Sequence, residues 1–182
     1  MPQAKAKHDG IEMSIVLLSG SEMGSRPQQF YAVVKAPGLL AGMSYPNGTD
    51  WNSLHGMGYR HVVRLTGMTA TYDPAPLSVL YAAALQDLAG GAVPHKPDYE
   101  ERCIREAVSL IVPRVRAGEG VAVHCAGGTG RTGTVLACSL KVLGVRLEDV
   151  IDHMSTVNAA RTKYSGWGWP ESPWQKAMFE RF

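Results

Sequence analysis

The chain has 182 residues, 45% of them hydrophobic, and a formal net charge of +2. That length allows one globular domain with a sizeable core, and so small a charge excludes any electrostatic argument for nucleic-acid or membrane-surface binding. Three cysteines, Cys103, Cys125 and Cys138, form no even disulfide framework and share no metal-ligand spacing, which suits a reducing compartment and a cytoplasmic protein.

The start, MPQAKAKHDG, is polar, and the apolar run from Ile15 to Leu18 is too short for a signal core or a membrane span. Residues 1–10 read as a loose tail. With a short strand and the polar loop Ser19 to Gln28 they make an N-terminal segment of residues 1–28, ahead of a single domain over 29–182. Phe30 to Lys35 and Leu39 to Ser44 are strands by their aromatic and β-branched content, separated by Pro37 and Gly38. After the turn Tyr45 to Gly48, Asp50 is placed to cap a short helix containing Trp51 and Leu54, and His61 to Leu65 is a core strand. Val79 to Gln86 reads as a further strand that delivers Asp87 to the glycine-rich stretch Leu88 to Gly91. Pro97 opens a helix with apolar Ile104, Val108 and Ile111 at helical spacing, ended or kinked by Pro113.

The stretch from Gly120 to Cys138 carries the chemistry. Val121, Ala122 and Val123 are a buried parallel strand, and Val135 onward is an apolar helix. Between them His124 and Cys125 are followed by Ala126, Gly127, Gly128, Thr129 and Gly130, then Arg131 and Thr132. Residues this small let backbone N–H groups converge, and the helix N-terminus adds partial positive charge, so the loop should cradle an anion.

Three readings compete for the loop. Gly128 to Gly133 fits a GxGxxG dinucleotide fingerprint, yet only about fifty residues follow, too few for the further βαβ units of that fold. A Walker loop needs Lys where Thr134 stands. A cysteine nucleophile explains more residues: a thiol near a helix N-terminus and a guanidinium is readily deprotonated, and Arg131 can fork two N–H bonds onto a phosphate. This His124-Cys125, five-residue, Arg131-Thr132-Gly133 pattern resembles the signature loop of the cysteine-dependent protein tyrosine phosphatases, especially the dual-specificity branch.

A phosphate monoester also needs a proton donor for its leaving oxygen. Asp73, Asp87 and Asp98 are the candidates. Asp98 with Glu101 forms a capping box for its helix, which commits its carboxylate to backbone N–H groups. Asp87 ends a strand before a glycine-rich loop, where a lid can carry it over the site. LQDLAGG also resembles the general-acid loop of dual-specificity phosphatases. His95 and Lys96, between the two, read as a solvated loop, and Cys103 and Cys138 as core residues.

Beyond Gly144, Leu147, Val150, Ile151 and Met154 mark an amphipathic helix to about Asn158. Arg161 follows it, and in related phosphatases an arginine there supports the site. Gly166 to Trp174 should fold over the core as an ordered loop. Ser172, Pro173 and Gln175 make a helix start of the capping-box kind, and the segment also resembles the glutamine loop of some family members.

The resemblance implies an α/β fold with a central, mainly parallel sheet flanked by helices, and a site at the carboxyl end of the strand leading to Cys125. It also implies a two-step mechanism. Cys125 attacks phosphorus, Arg131 and the N–H groups of Ala126 to Arg131 hold the oxygens, and Asp87 serves as acid and then as base. Thr132 bonds the departing thiolate and His124 orients the loop. No metal or cofactor is needed. The implied partner is a phosphotyrosine or phosphoserine/threonine protein, or another phosphate ester such as an RNA 5′ end, a lipid or a small molecule. No nucleic acid or membrane is required, and a monomer is expected. A phospho-ligand-binding module without turnover is the alternative on the same scaffold.

Overall fold

The computed structural model describes residues 3–8, 11–17, 30–161 and 168–182. Seven strands form one sheet in the order β1-β2-β3-β4-β7-β5-β6. They are β1 Gln3–His8, β2 Ile11–Leu17, β3 Phe30–Ala36, β4 Leu40–Met43, β5 Tyr59–Arg64, β6 Ser78–Ala82 and β7 Gly120–His124. The helices are α1 Trp51–Gly56, α2 Pro97–Arg116, α3 Gly130–Val142, α4 Leu147–Arg161 and α5 Pro173–Glu180.

The half of the sheet that ends in the loop after β7 is parallel throughout: β4, β7, β5 and β6 pair in that order. Every residue of β4 and β7 is buried, as expected for strands covered on both faces. Ile104, Ile111, Leu136, Leu140, Val150, Met178 and Phe179, from α2 to α5, close one face, while Trp51 and Leu54 of α1 cover the other. Burial of each large side chain supplies about 1.5–3 kcal/mol, so α3, with ten buried residues, is held firmly behind the Cys125 loop. Among the described residues no helix is long and apolar enough to cross a membrane.

Two expectations change, at Gln3–His8 and at the start of α2. Gln3–His8 is not part of a loose tail: it pairs antiparallel with β2, and β2 pairs with β3, so this strand extends the sheet of the main domain. The alternation of Ala and Lys in QAKAKH suits an edge strand. Ser19 to Gln28 and the proposed boundary at 28/29 lie outside the described residues, as do residues 166 and 167. Pro113 does not end α2, which runs on to Arg116 because a proline one turn from the end removes a single bond while Val115 is drawn into the core. The start of α2 is capped by no side chain: Lys96 is the N-cap, and Asp98 stands exposed in the first turn, so the capping box with Glu101 does not form. Instead Glu101 bonds Arg105 and Arg181 on the surface.

Candidate active site

Cys125 follows the last residue of β7 and is 2% exposed. Its Sγ accepts the N–H of Gly128 at 3.2 Å. Gly128 has φ +76°, and a side chain there would also press within 2.6 Å of the Met43 carbonyl, so only glycine fits.

The carbonyls of the loop are held from behind. Ala126 O accepts from Tyr45 N at 2.8 Å, and Gly127 O from Arg161 Nη2 at 3.2 Å. Gly128 O accepts both Tyr31 Oη at 2.7 Å and Arg161 Nη1 at 2.9 Å. The guanidinium of Arg161 lies 4.0 Å over the Tyr31 ring. With the Gly127 carbonyl held from outside, the N–H of the same peptide, that of Gly128, faces the thiol. That is the arrangement an oxyanion needs.

His124 is fully buried beneath the loop. Its Nδ1 lies 3.2 Å from Cys125 O, and its Nε2 2.5 Å from Tyr72 Oη. Burial lowers its pKa from 6.5 to about 4, so the ring is neutral at physiological pH, with Nδ1–H facing the carbonyl and Nε2 accepting from Tyr72. A neutral ring so engaged ties the Cys125 carbonyl to Tyr72.

Three carboxylates gather near Arg131. Asp87 Oδ2 meets Arg131 Nη2 at 2.6 Å, and the same guanidinium donates to Leu85 O at 3.3 Å. Glu100, buried on α2, accepts Gln86 N at 2.9 Å, which fixes the residue before Asp87. Burial raises the Glu100 pKa, with Arg131 opposing it. Gln86 Oε1 accepts His95 N at 2.8 Å and closes the loop of residues 86–95, whose 3-10 turn spans Ala89–Gly91. Glu171 is the third, beside Gly130 at the start of α3. Burial is the main cause that raises its pKa, followed by the Asp87 charge, with Arg131, the Gly130 N–H and Arg161 opposing.

Of the sequence candidates, the structure brings together Cys125, residues 126–130, Arg131, Asp87 and His124. Asp98 is exposed in the first turn of α2, and Asp73 accepts Ala75 N in a turn at 3.0 Å. Thr132 is buried, but its Oγ1 makes no hydrogen bond among the described residues, so the expected bond to the thiol is not formed in this state. Gln175 is 2% exposed. Ser172 caps α5 through the Gln175 N–H, while the Gln175 side chain accepts the N–H of Glu171 at 2.9 Å instead of that of Ser172. Arg161 is a loop anchor. Tyr31, Tyr72, Glu100 and Glu171 were not singled out by sequence; for Glu171 the signal was there, an acidic residue four positions before Gln175.

Comparison with known proteins gives this arrangement its relatives. Tk-PTP in its active form shares 22% identity and superposes with a TM-score of 0.54, over 79% of this chain and 92% of that one. Human DUSP28 shares 15% at a TM-score of 0.57, over 78% and 89%. PTPMT1 in complex with PI(5)P shares 15% at 0.53, over 78% and 90%. At these identities the likeness is one of fold. Residues 28–165 match the model of a family described as "PTP-SAK: Swiss Army Knife protein, DSP-PTPase phosphatase domain". A match of that extent, running from before β3 to beyond α4 and through the whole Cys125 loop, makes the chain a member of this DSP-PTPase phosphatase family, within the cysteine-based protein tyrosine phosphatase superfamily.

Proposed function

We propose that the protein hydrolyses phosphate monoesters through a cysteinyl-phosphate intermediate, with phosphotyrosine in proteins as the preferred substrate and phosphoserine or phosphothreonine as slower ones. The observation that carries the reading is the Cys125 loop, with its carbonyls drawn away and a cradle N–H on the sulfur. Cys125 attacks phosphorus while the N–H groups of residues 126–131 and the Arg131 guanidinium take up the charge on the equatorial oxygens. Asp87, already within 2.6 Å of Arg131, protonates the leaving oxygen. Water then releases phosphate from the sulfur. His124 and Arg161 hold the loop in shape throughout.

The preference for an aryl ester rests on depth. Cys125 is 2% exposed, and a thiol so covered favours a long, flat phosphotyrosine side chain over a short phosphoserine. A phosphoinositide is the second reading, favoured by the PTPMT1 relative, whose structure holds PI(5)P. Residues 126–130 contain no lysine to meet additional phosphates, which weighs against it. The test compares kcat/KM on phosphotyrosine peptides, phosphoserine peptides and PI(5)P, without added metal and with vanadate as inhibitor. Fastest turnover of phosphotyrosine, stopped by vanadate and absent in Cys125→Ser, is expected. Preference for the lipid, or full activity of the Cys125→Ser variant, would overturn the reading.

A further inference from the structure

Glu171 occupies a position that anion binding does not explain. Both of its backbone polar groups are fixed, its N–H by Gln175 Oε1 at 2.9 Å and its C=O by Gly91 N at 3.0 Å. The residue therefore sits between the loop that carries Asp87 and the first turn of α5. Its side chain reaches Gly130, where a Cβ would overlap the Glu171 carboxylate and stand 2.9 Å from Gln175 Nε2. The Gly130 N–H, part of the cradle, favours the ionised form of that carboxylate. A side chain at position 130 would have to displace the Glu171 carboxylate.

A second carboxylate beside Asp87 at a site for a dianion weakens binding by repulsion. Its presence there calls for a chemical role. The two acids differ in surroundings: Asp87 is 57% exposed against Arg131, whereas Glu171 is half-buried beside Gly130 at the start of α3 and next to the Gln175 amide. The first step needs an acid where the leaving group departs. The second needs a base where water arrives after the leaving group has gone.

We infer that the two steps use different carboxylates, and that Glu171 is the base of the second, with the Gln175 amide orienting the attacking water. The inference rests on the cysteinyl-phosphate reading above. The water oxygen forms a bond to phosphorus, the P–S bond breaks with its electron pair returning to the Cys125 sulfur, and the water proton passes to the Glu171 carboxylate and from there to solvent. Burial raises the proton affinity of this carboxylate, which makes it the stronger base while it is ionised.

Rapid-quench kinetics on p-nitrophenyl phosphate test this with wild type, Glu171→Gln and Asp87→Asn, following both nitrophenolate release and phosphate bound to protein. Glu171→Gln should release one equivalent in a burst and accumulate phosphoenzyme, with kcat reduced about 100-fold, KM reduced in parallel, and kcat/KM kept near wild type. A purely structural role would lower kcat/KM instead. Asp87→Asn should slow formation of the phosphoenzyme from an alkyl phosphate and leave its decay unchanged, a readout independent of whether the Glu171 variant folds. Decay slowed by Asp87→Asn, or wild-type turnover by Glu171→Gln, would overturn the assignment. Wild type that neither turns over nor forms phosphoenzyme would instead sink the phosphatase reading itself.

Discussion

Behind the Cys125 loop, the carbonyls of residues 126–128 are held by Tyr45, Tyr31 and Arg161, the last two buried and stacked on each other. At its mouth, the contacts are ion pairs and loop-to-loop bonds around Asp87, a side chain 57% exposed. The back is held by bonds whose loss strands buried polar groups, and it keeps the N–H groups aimed. On the mechanism proposed above, the mouth is held by contacts that a phosphate replaces, with the Arg131 guanidinium exchanging Asp87 for the substrate. Rigidity behind and exchangeable charge in front are the two conditions of an anion site that must also turn over.

Changes at the meeting point of the two regions should have the largest effect. Cys125→Ser should abolish hydrolysis, measured as steady-state release from an aryl phosphate, because a serine hydroxyl in the same place is far less nucleophilic than a thiolate. Next comes the back. Arg161→Met removes the donors to Gly127 O and Gly128 O, and at about 1–3 kcal/mol for each unsatisfied buried group it should cost about 3 kcal/mol in urea unfolding and lower kcat as well. Unchanged stability would mean that the back is not rigid through Arg161.

The buried ring of His124 makes a pH prediction of comparable size. Its pKa is depressed from 6.5 to about 4 in the folded state, so its contribution to stability is complete above pH 6.5 and is lost as the unfolded chain takes up a proton that the native ring refuses. Between about pH 6.5 and pH 4 the wild type should lose about 3 kcal/mol relative to His124→Asn, read from paired denaturant titrations. Parallel curves for the two proteins would contradict the buried neutral ring.

At the mouth, Asp87→Asn should slow an alkyl phosphate about 100-fold and an aryl phosphate much less, whereas Asp98→Asn should change neither. Selective loss in the Asp98 variant would reverse the choice of acid. Tyr31→Phe should have a small effect on stability, about 1 kcal/mol, because Gly128 O keeps its bond to Arg161.

The strand, loop and helix around Cys125 were legible in the sequence because their signals are local: a short apolar run, five small residues and a fixed step to Arg131. Asp87 stands against Arg131, where its place before the glycine-rich stretch pointed, while the capping box offered against Asp98 does not form and that aspartate faces solvent. What could not be read was set by distant contacts. Tyr31 meets Gly128 across 97 residues, and nothing in FYAVVK marks one aromatic as a loop anchor. Glu171 and Gln175 were readable as a helix start, yet their place beside Gly130 depends on how α5 docks on α3. The edge strand Gln3–His8 escaped notice because ladder bonds, unlike a core face, leave little trace in composition.

The account stands or falls on a covalent phosphate at Cys125. Protein turned over on a radiolabelled aryl phosphate, quenched in denaturant within the first turnovers and digested with trypsin, should carry label on the fragment spanning residues 117–131. The Cys125→Ser protein should carry none. Steady turnover with no label on that fragment, or equal labelling of the serine variant, would contradict it.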